Sequence, residues 1–152
     1  MKLIFENSEK ITSLLLKNGY SIVKLKKVRT GHFICKVLVN EINGKFILDT
    51  GASHTCIGLE YEKYFCLLSE SSDELAASAS DENIKTKQSS EIFFEIGSIK
   101  KKQNFVLISL QTVNSALSKQ KVKPVHGIIG SDFLEKTKAV IDYEKKILFL
   151  KL

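Results

Sequence analysis

The stretch Phe46-Ile47-Leu48-Asp49-Thr50-Gly51-Ala52-Ser53 delivers one carboxylate to the tip of an apolar strand and follows it at once with a glycine turn. A second apolar and glycine-bounded run, Gly127-Ile128-Ile129-Gly130, lies far downstream and passes into Ser131-Asp132-Phe133-Leu134, which reads as the start of a helix over 131–136. The plain alternative for Asp49 is an aspartate that caps a loop after a buried strand by bonding its own backbone.

Outward from Asp49, the upstream chain alternates with period two. Phe33, Cys35, Val37 and Val39 share one face of a strand, and an earlier strand is expected within 22–28. Asn43-Gly44 predicts a tight hairpin turn, which sets Val39 and Phe46 on antiparallel partners. Residues 8–18 predict a short amphipathic helix packed on the main domain, with Ser8 as N-cap, Ile11, Leu14 and Leu15 on one face, and Gly19 ending it. Downstream, strands are expected over 55–57, 91–96, 103–110, 139–142 and 147–150, with a helical turn or two over 59–65. The apolar run 105–110 reads as buried on both sides, and a polar connector leads from it through Pro124. Residues 69–90 are the most polar part of the chain and read as a surface hairpin.

Composition bounds the function. The chain has 152 residues, enough for one domain with a sizeable core but hardly for two catalytic lobes in tandem. No run is apolar enough to span a bilayer, and Glu6 interrupts the opening residues too soon for a secretory segment, so the cytoplasm is the expected location. Cys35, Cys56 and Cys66 lack a framework spacing, so no disulfide is expected. The net charge of +6 comes from dispersed lysines, with clusters over 24–29 and 100–102 but no interleaved aromatics, and neither a nucleic-acid nor a membrane partner is expected. His32, Cys35, His54 and Cys56 look superficially like metal ligands. The alternation around Cys35 explains it as core, and the spacing is poor for tetrahedral zinc, so no metal or other cofactor is expected.

With the Asp49 motif and Gly127-Ile128-Ile129-Gly130 in this order, the chain resembles the retropepsin-like aspartic proteases, particularly small single-lobe bacterial members, from about residue 31 to residue 152. The resemblance implies an all-β acid-protease fold, a closed barrel with a short C-terminal helix, preceded by a helix and strand extension at 1–30 and occupying a domain at 31–152. It implies an aspartic endopeptidase in which two aspartates share one proton across a water. Only Asp49 carries the motif, since Asp73, Asp81, Asp132 and Asp142 lack the following Thr/Ser-Gly, so the dyad is expected from two copies of a homodimer acting on a peptide or protein substrate.

The same resemblance assigns roles. Asp49 is the catalytic acid or base, Thr50 braces the two loops across the twofold axis, and Gly51 lets the backbone approach the carboxylates. Ala52 lacks a hydroxyl that would favour the ionised carboxylate, which implies activity less confined to strong acid, and Ser53 braces the loop. Ile128, Ile129 and Gly130 thread behind the catalytic loop. The candidate flap, roughly 75–87, contains Ala76, Ala77, Ser78 and Ala79 but no glycine, a departure from the usual tip. The competing function is a non-proteolytic peptide- or protein-binding module on the same fold. His54 reads as a loop histidine, His126 as an exposed edge residue and Asp132 as a helix cap, while the strand at 147–150 reads either as an interface strand or as core.

Overall fold

Strand β4 (Ile42–Leu48) begins half exposed and ends with Phe46, Ile47 and Leu48 all buried, so neither face of its second half meets water. The computed structural model describes residues 2–72 and 85–152. In chain order the elements are α1 (Lys2–Lys17), β1 (Ser21–Lys24), β2 (Lys26–Lys27), β3 (Phe33–Val39), β4, β5 (Cys56–Gly58) and a 3-10 turn (Leu59–Tyr61). There follow β6 (Ser69–Ser71), β7 (Lys87–Ser89), β8 (Ile92–Ile96), β9 (Ile99–Gln103), β10 (Val106–Ile108) and α2 (Gln111–Lys119). The chain closes with β11 (Gly127–Ile129), α3 (Ser131–Lys136), β12 (Val140–Asp142) and β13 (Ile147–Leu150).

The main sheet runs β6-β7-β10-β5-β11-β4-β3-β8-β9, with β2 added to β3, and a three-stranded sheet runs β1-β13-β12. The architecture is all-β with short helices, but the main sheet is an open path and not the expected closed barrel. Its β9 edge carries Lys100, Lys101 and Lys102, and a lysine-rich edge favours water over another ladder. The central strands separate two apolar clusters. Phe46, Leu48, Ile57 and Ile129 face the larger core, while Ile47, Cys56 and Ile128 face a smaller one completed by Leu110, Leu117 and Val125.

Helix α2 supplies part of that second cover and replaces the expected polar connector. Its local signals are weak: Leu117 is its one buried residue, and its N-cap Leu110 has no capping side chain of its own. Glu60 from the 3-10 turn caps it instead, accepting from Leu110 N–H at 3.2 Å and from the Ser109 hydroxyl at 2.5 Å. Those donors hold the Glu60 carboxyl below its ordinary range despite the opposing effect of partial burial. The expected strand over 103–110 is likewise replaced by β9 and β10, and Val106 and Ile108 are only half-buried.

The first hairpin turns earlier than expected. Val39 pairs with Ile42 and Phe46 with Cys35, so the turn residues are Asn40 and Glu41, both at positive φ, 48° and 65°. Gly44 lies within β4, where an added Cβ would come within 3.0 Å of Val37 and 3.1 Å of Phe65, so packing space explains this glycine. Asn40 tolerates the left-handed region and locks the corner, its Nδ2 donating to Phe65 O and its Oδ1 accepting from Phe93 N–H, each at 3.1 Å. Helix α1 starts six residues earlier than expected, so Ser8 lies inside it, while Gly19 ends it with φ 84°. Gly19 N–H bonds Leu16 O at 3.0 Å and Tyr20 N–H bonds Leu15 O at 3.1 Å, a Schellman stop. The last strand folds inward, with Leu148, Phe149 and Leu150 fully buried.

His126 is half-buried, not an exposed edge residue. It stacks on Tyr64 with centroids 5.2 Å apart, meets Tyr61 edge-on at 4.6 Å, and accepts from Lys45 N–H at Nδ1. Burial, with the Lys45 charge, holds its pKa below the ordinary 6.5. The unfolded chain therefore binds a proton first on acidification, so stability is full above that value and declines as pH falls through it toward the folded pKa. Urea midpoints should fall between about pH 7.5 and about pH 5, with His126→Phe flattening that part of the profile. Asn40→Ala should cost about 2 kcal/mol in urea unfolding, from two lost hydrogen bonds and a less tolerant turn residue.

Candidate active site

Strand β11 threads between β4 and β5, parallel to the first and antiparallel to the second. Such a passage demands close backbones, and glycines supply it. An added Cβ at Gly127 would lie 2.4 Å from the Phe46 ring and 2.6 Å from Cys56 O. One at Gly130 would lie 2.6 Å from the His54 carbonyl carbon and 2.8 Å from Ala52 O. No side chain fits without moving backbone or ring.

The Asp49 loop is stitched to this strand from both ends. Asp49 N–H donates to Ile129 O at 3.0 Å, which carries the parallel ladder one step past β4, and Ser131 N–H donates to Ala52 O at 2.7 Å. Within the loop, Ala52 N–H donates to Asp49 O at 3.2 Å and Gly51 N–H to Asp49 Oδ1 at 2.9 Å. The carboxylate is thus exposed yet oriented, with its second oxygen left for a ligand. Thr50 and Gly51 are exposed beside it, and Ala52 is half-buried against the smaller core. Ser53 is exposed and its hydroxyl pairs with His54 Nδ1 at 2.9 Å.

Thr55 and Asp132 brace the loop, a role absent from the sequence reading, in which Asp132 is a helix cap alone. Thr55 is buried, its hydroxyl accepts from Gly130 N–H at 2.9 Å, and the same hydroxyl donates to Asp132 Oδ1 at 2.7 Å. Asp132 Oδ1 also accepts from Thr55 N–H at 2.8 Å and Phe133 N–H at 2.7 Å. Asp132 therefore does more than begin α3: it ties the helix start to the strand leaving the Asp49 loop. The available signal was a lone threonine opening the apolar run Thr55-Cys56-Ile57, which needs a buried partner for its hydroxyl.

The candidate flap residues Ala76, Ala77, Ser78 and Ala79 lie outside the described residues. The hairpin stem beside them is formed by β6 and β7, paired Ser69 with Ser89 and Ser71 with Lys87. Glu62 ties that stem to the body, accepting from the Ser69 hydroxyl and from Lys87 Nζ, the latter at 2.9 Å. The metal reading is not assembled. Cys35 and Cys56 are buried thiols pushed up to about 12 by desolvation, His32 bonds Thr30, and no group of three or more metal-ligating side chains occurs among the described residues.

The site can orient one carboxylate toward a water or a carbonyl oxygen. Neither of the other described aspartates is free to complete a proton-sharing pair, because Asp132 is engaged by three donors and Asp142 accepts from Lys145 N–H at 2.8 Å within its own turn.

Three solved structures share this fold. The retroviral protease-like domain of Ddi1 from Leishmania major is 12% identical with a TM-score of 0.55, covering 77% of this chain and 86% of that one. A retropepsin-like aspartic protease from Rickettsia conorii is 22% identical with a TM-score of 0.53, covering 87% and 88%. The EIAV protease complexed with the inhibitor HBY-793 is 16% identical with a TM-score of 0.52, covering 72% and 90%. No curated protein sequence matches significantly. The profile of the retroviral aspartyl protease family matches residues 31–142, which include the Asp49 loop, the β11 thread and α3, and the chain belongs to that family.

Proposed function

We propose that the chain is an aspartic endopeptidase whose catalytic pair consists of Asp49 from each of two copies in a homodimer. The observation that carries this reading is the geometry of Asp49: an exposed carboxylate, oriented by Gly51 N–H and held on a braced loop. Two such carboxylates a few ångströms apart resist ionising together, so one retains the shared proton. The ionised member takes a proton from the water between them as that water attacks the substrate carbonyl, and the protonated member donates to the developing oxyanion. Thr50, exposed beside Asp49, would brace the facing loop, and an extended peptide would add as a strand over the pair. Free Cys35, Cys56 and Cys66 suit a reducing compartment such as the cytoplasm.

Asp49→Asn should lower cleavage of an unfolded protein substrate by about 10²- to 10⁴-fold without loss of fold. Mixed in equal amounts with wild type under dimer-forming conditions, the same variant should lower wild-type activity to about half, because random pairing halves the intact dyads. Activity that is unmoved by the variant and by dilution would sink the shared-dyad reading, and absence of any cleavage would favour the binding module.

Thr55→Val should destabilise the fold by about 3 kcal/mol, since it strands the buried Gly130 N–H and takes a donor from Asp132. It should also reduce kcat more than it raises KM by loosening the loop, and Thr55→Ser, which keeps the hydroxyl, should restore both.

A further inference from the structure

Helix α1 packs on the body along one side and leaves described apolar side chains of another side exposed. It meets the body through half-buried Leu15 and through Thr12, whose Oγ1 accepts from Lys145 Nζ at 2.8 Å, while Ile11 and Leu14 remain 55% and 60% exposed. Three residues apart, those two side chains share a helix face. Exposed Lys10 and Lys17 border it two turns apart.

The segment after α1 is basic as well. Residues 1–30 hold seven basic and two acidic residues, a net +5 of the chain's +6. Lys24, Lys26 and Lys27 are exposed, and Leu25 N–H bonds Lys146 O at 2.8 Å, so the turn that holds α1 through Lys145 also holds the basic segment. Helix α1 and the basic segment thus both adjoin the turn at Lys145 and Lys146.

We propose that α1 and the basic segment at 24–27 form a peripheral docking surface for an anionic phospholipid bilayer. Ile11 and Leu14 enter the boundary between headgroups and acyl chains, and the lysines meet the lipid anions. A second copy fits this surface less well, because pairing two α1 faces brings Lys10 and Lys17 of both copies together. Nucleic acid fits less well because exposed aliphatic side chains offer nothing for bases to stack on.

The test is flotation of the purified chain with phosphatidylcholine vesicles, alone or with about 30% phosphatidylserine, at low and high salt. The expected result is binding to the anionic vesicles alone, weakened by salt, and weakened about tenfold by either Ile11→Asp with Leu14→Asp or Lys26→Glu with Lys27→Glu. All these positions are exposed, so the melting midpoint should hold, and Asp49→Asn should float like wild type whatever its peptidase activity. The proposal is overturned by no flotation with anionic vesicles, by equal flotation with neutral ones, or by flotation that neither double variant weakens. Lipid-free self-association lost only in the Ile11/Leu14 variant, with no flotation of wild type, would overturn it by assigning the face to a second copy.

Discussion

The passage of β11 between β4 and β5 is the constraint on which the site depends. Where Gly127 passes the Phe46 ring and Gly130 passes the His54 and Ala52 carbonyls, a methyl group has no room. That intimacy lets Ile129 O accept from Asp49 N–H, so the carboxylate-bearing residue belongs to the sheet ladder even though its side chain is in water. A loop attached only at its ends would lose orientation through backbone freedom, whereas this one has its amides committed on either side of the carboxylate. The rigidity is therefore a property of two segments some eighty residues apart in sequence and adjacent in space.

The thread also explains why the protein needs two cores. A strand hydrogen-bonded on both sides has two faces to bury, and Ile128 and Ile129 point to opposite ones. Ile129 joins the large core with Phe46 and Phe133, while Ile128 needs the cover supplied by Leu110, Leu117 and Val125 around α2. Glu60 fastens that cover by capping α2 from the turn that follows β5. Asn114 fastens its far side, donating to Val125 O at 3.0 Å and accepting from Val125 N–H at 2.8 Å. The Asp49 loop, the thread and the back helix thus form one connected unit in which apolar burial supplies the energy and polar ties set the register.

What was legible in the sequence was what local pattern determines. The strand ending at Asp49, the Gly127-Ile128-Ile129-Gly130 thread, the helix start at Ser131 and the final two strands all carry their signals in consecutive residues. The misreadings share another origin. Asn43-Gly44 has the composition of a turn, but Gly44 answers to Val37 and Phe65 across the sheet, and the turn fell to Asn40, whose amide finds partners on two other segments. Helix α2 is capped by a residue some fifty positions away, and Thr55 and Asp132 recognise each other over seventy-seven. The main sheet stays open and ends on β9, an edge whose lysines favour solvent over another ladder. Long-range polar partners leave no periodicity, and nothing local announces them.

The same topology bears on the proposed pairing of two Asp49 loops. β13 lies between β1 and β12, with Ile22 opposite Phe149 on one side and Val140 opposite Phe149 on the other, so both of its edges are filled from within the chain. A second copy cannot interleave its own terminal strand there without breaking these ladders and exposing Leu148, Phe149 and Leu150, which are fully buried. Burying three such side chains is worth several kcal/mol, on the order of 1.5–3 kcal/mol each, so the exchange is opposed at the outset. Among the described surfaces, the exposed Asp49-Thr50-Gly51 tip and the outer edges of β1 and β12 remain open to the proposed contact. A tip already held by its hydrogen bonds would need little further ordering on contact, which is consistent with the proposed pairing of the two carboxylates.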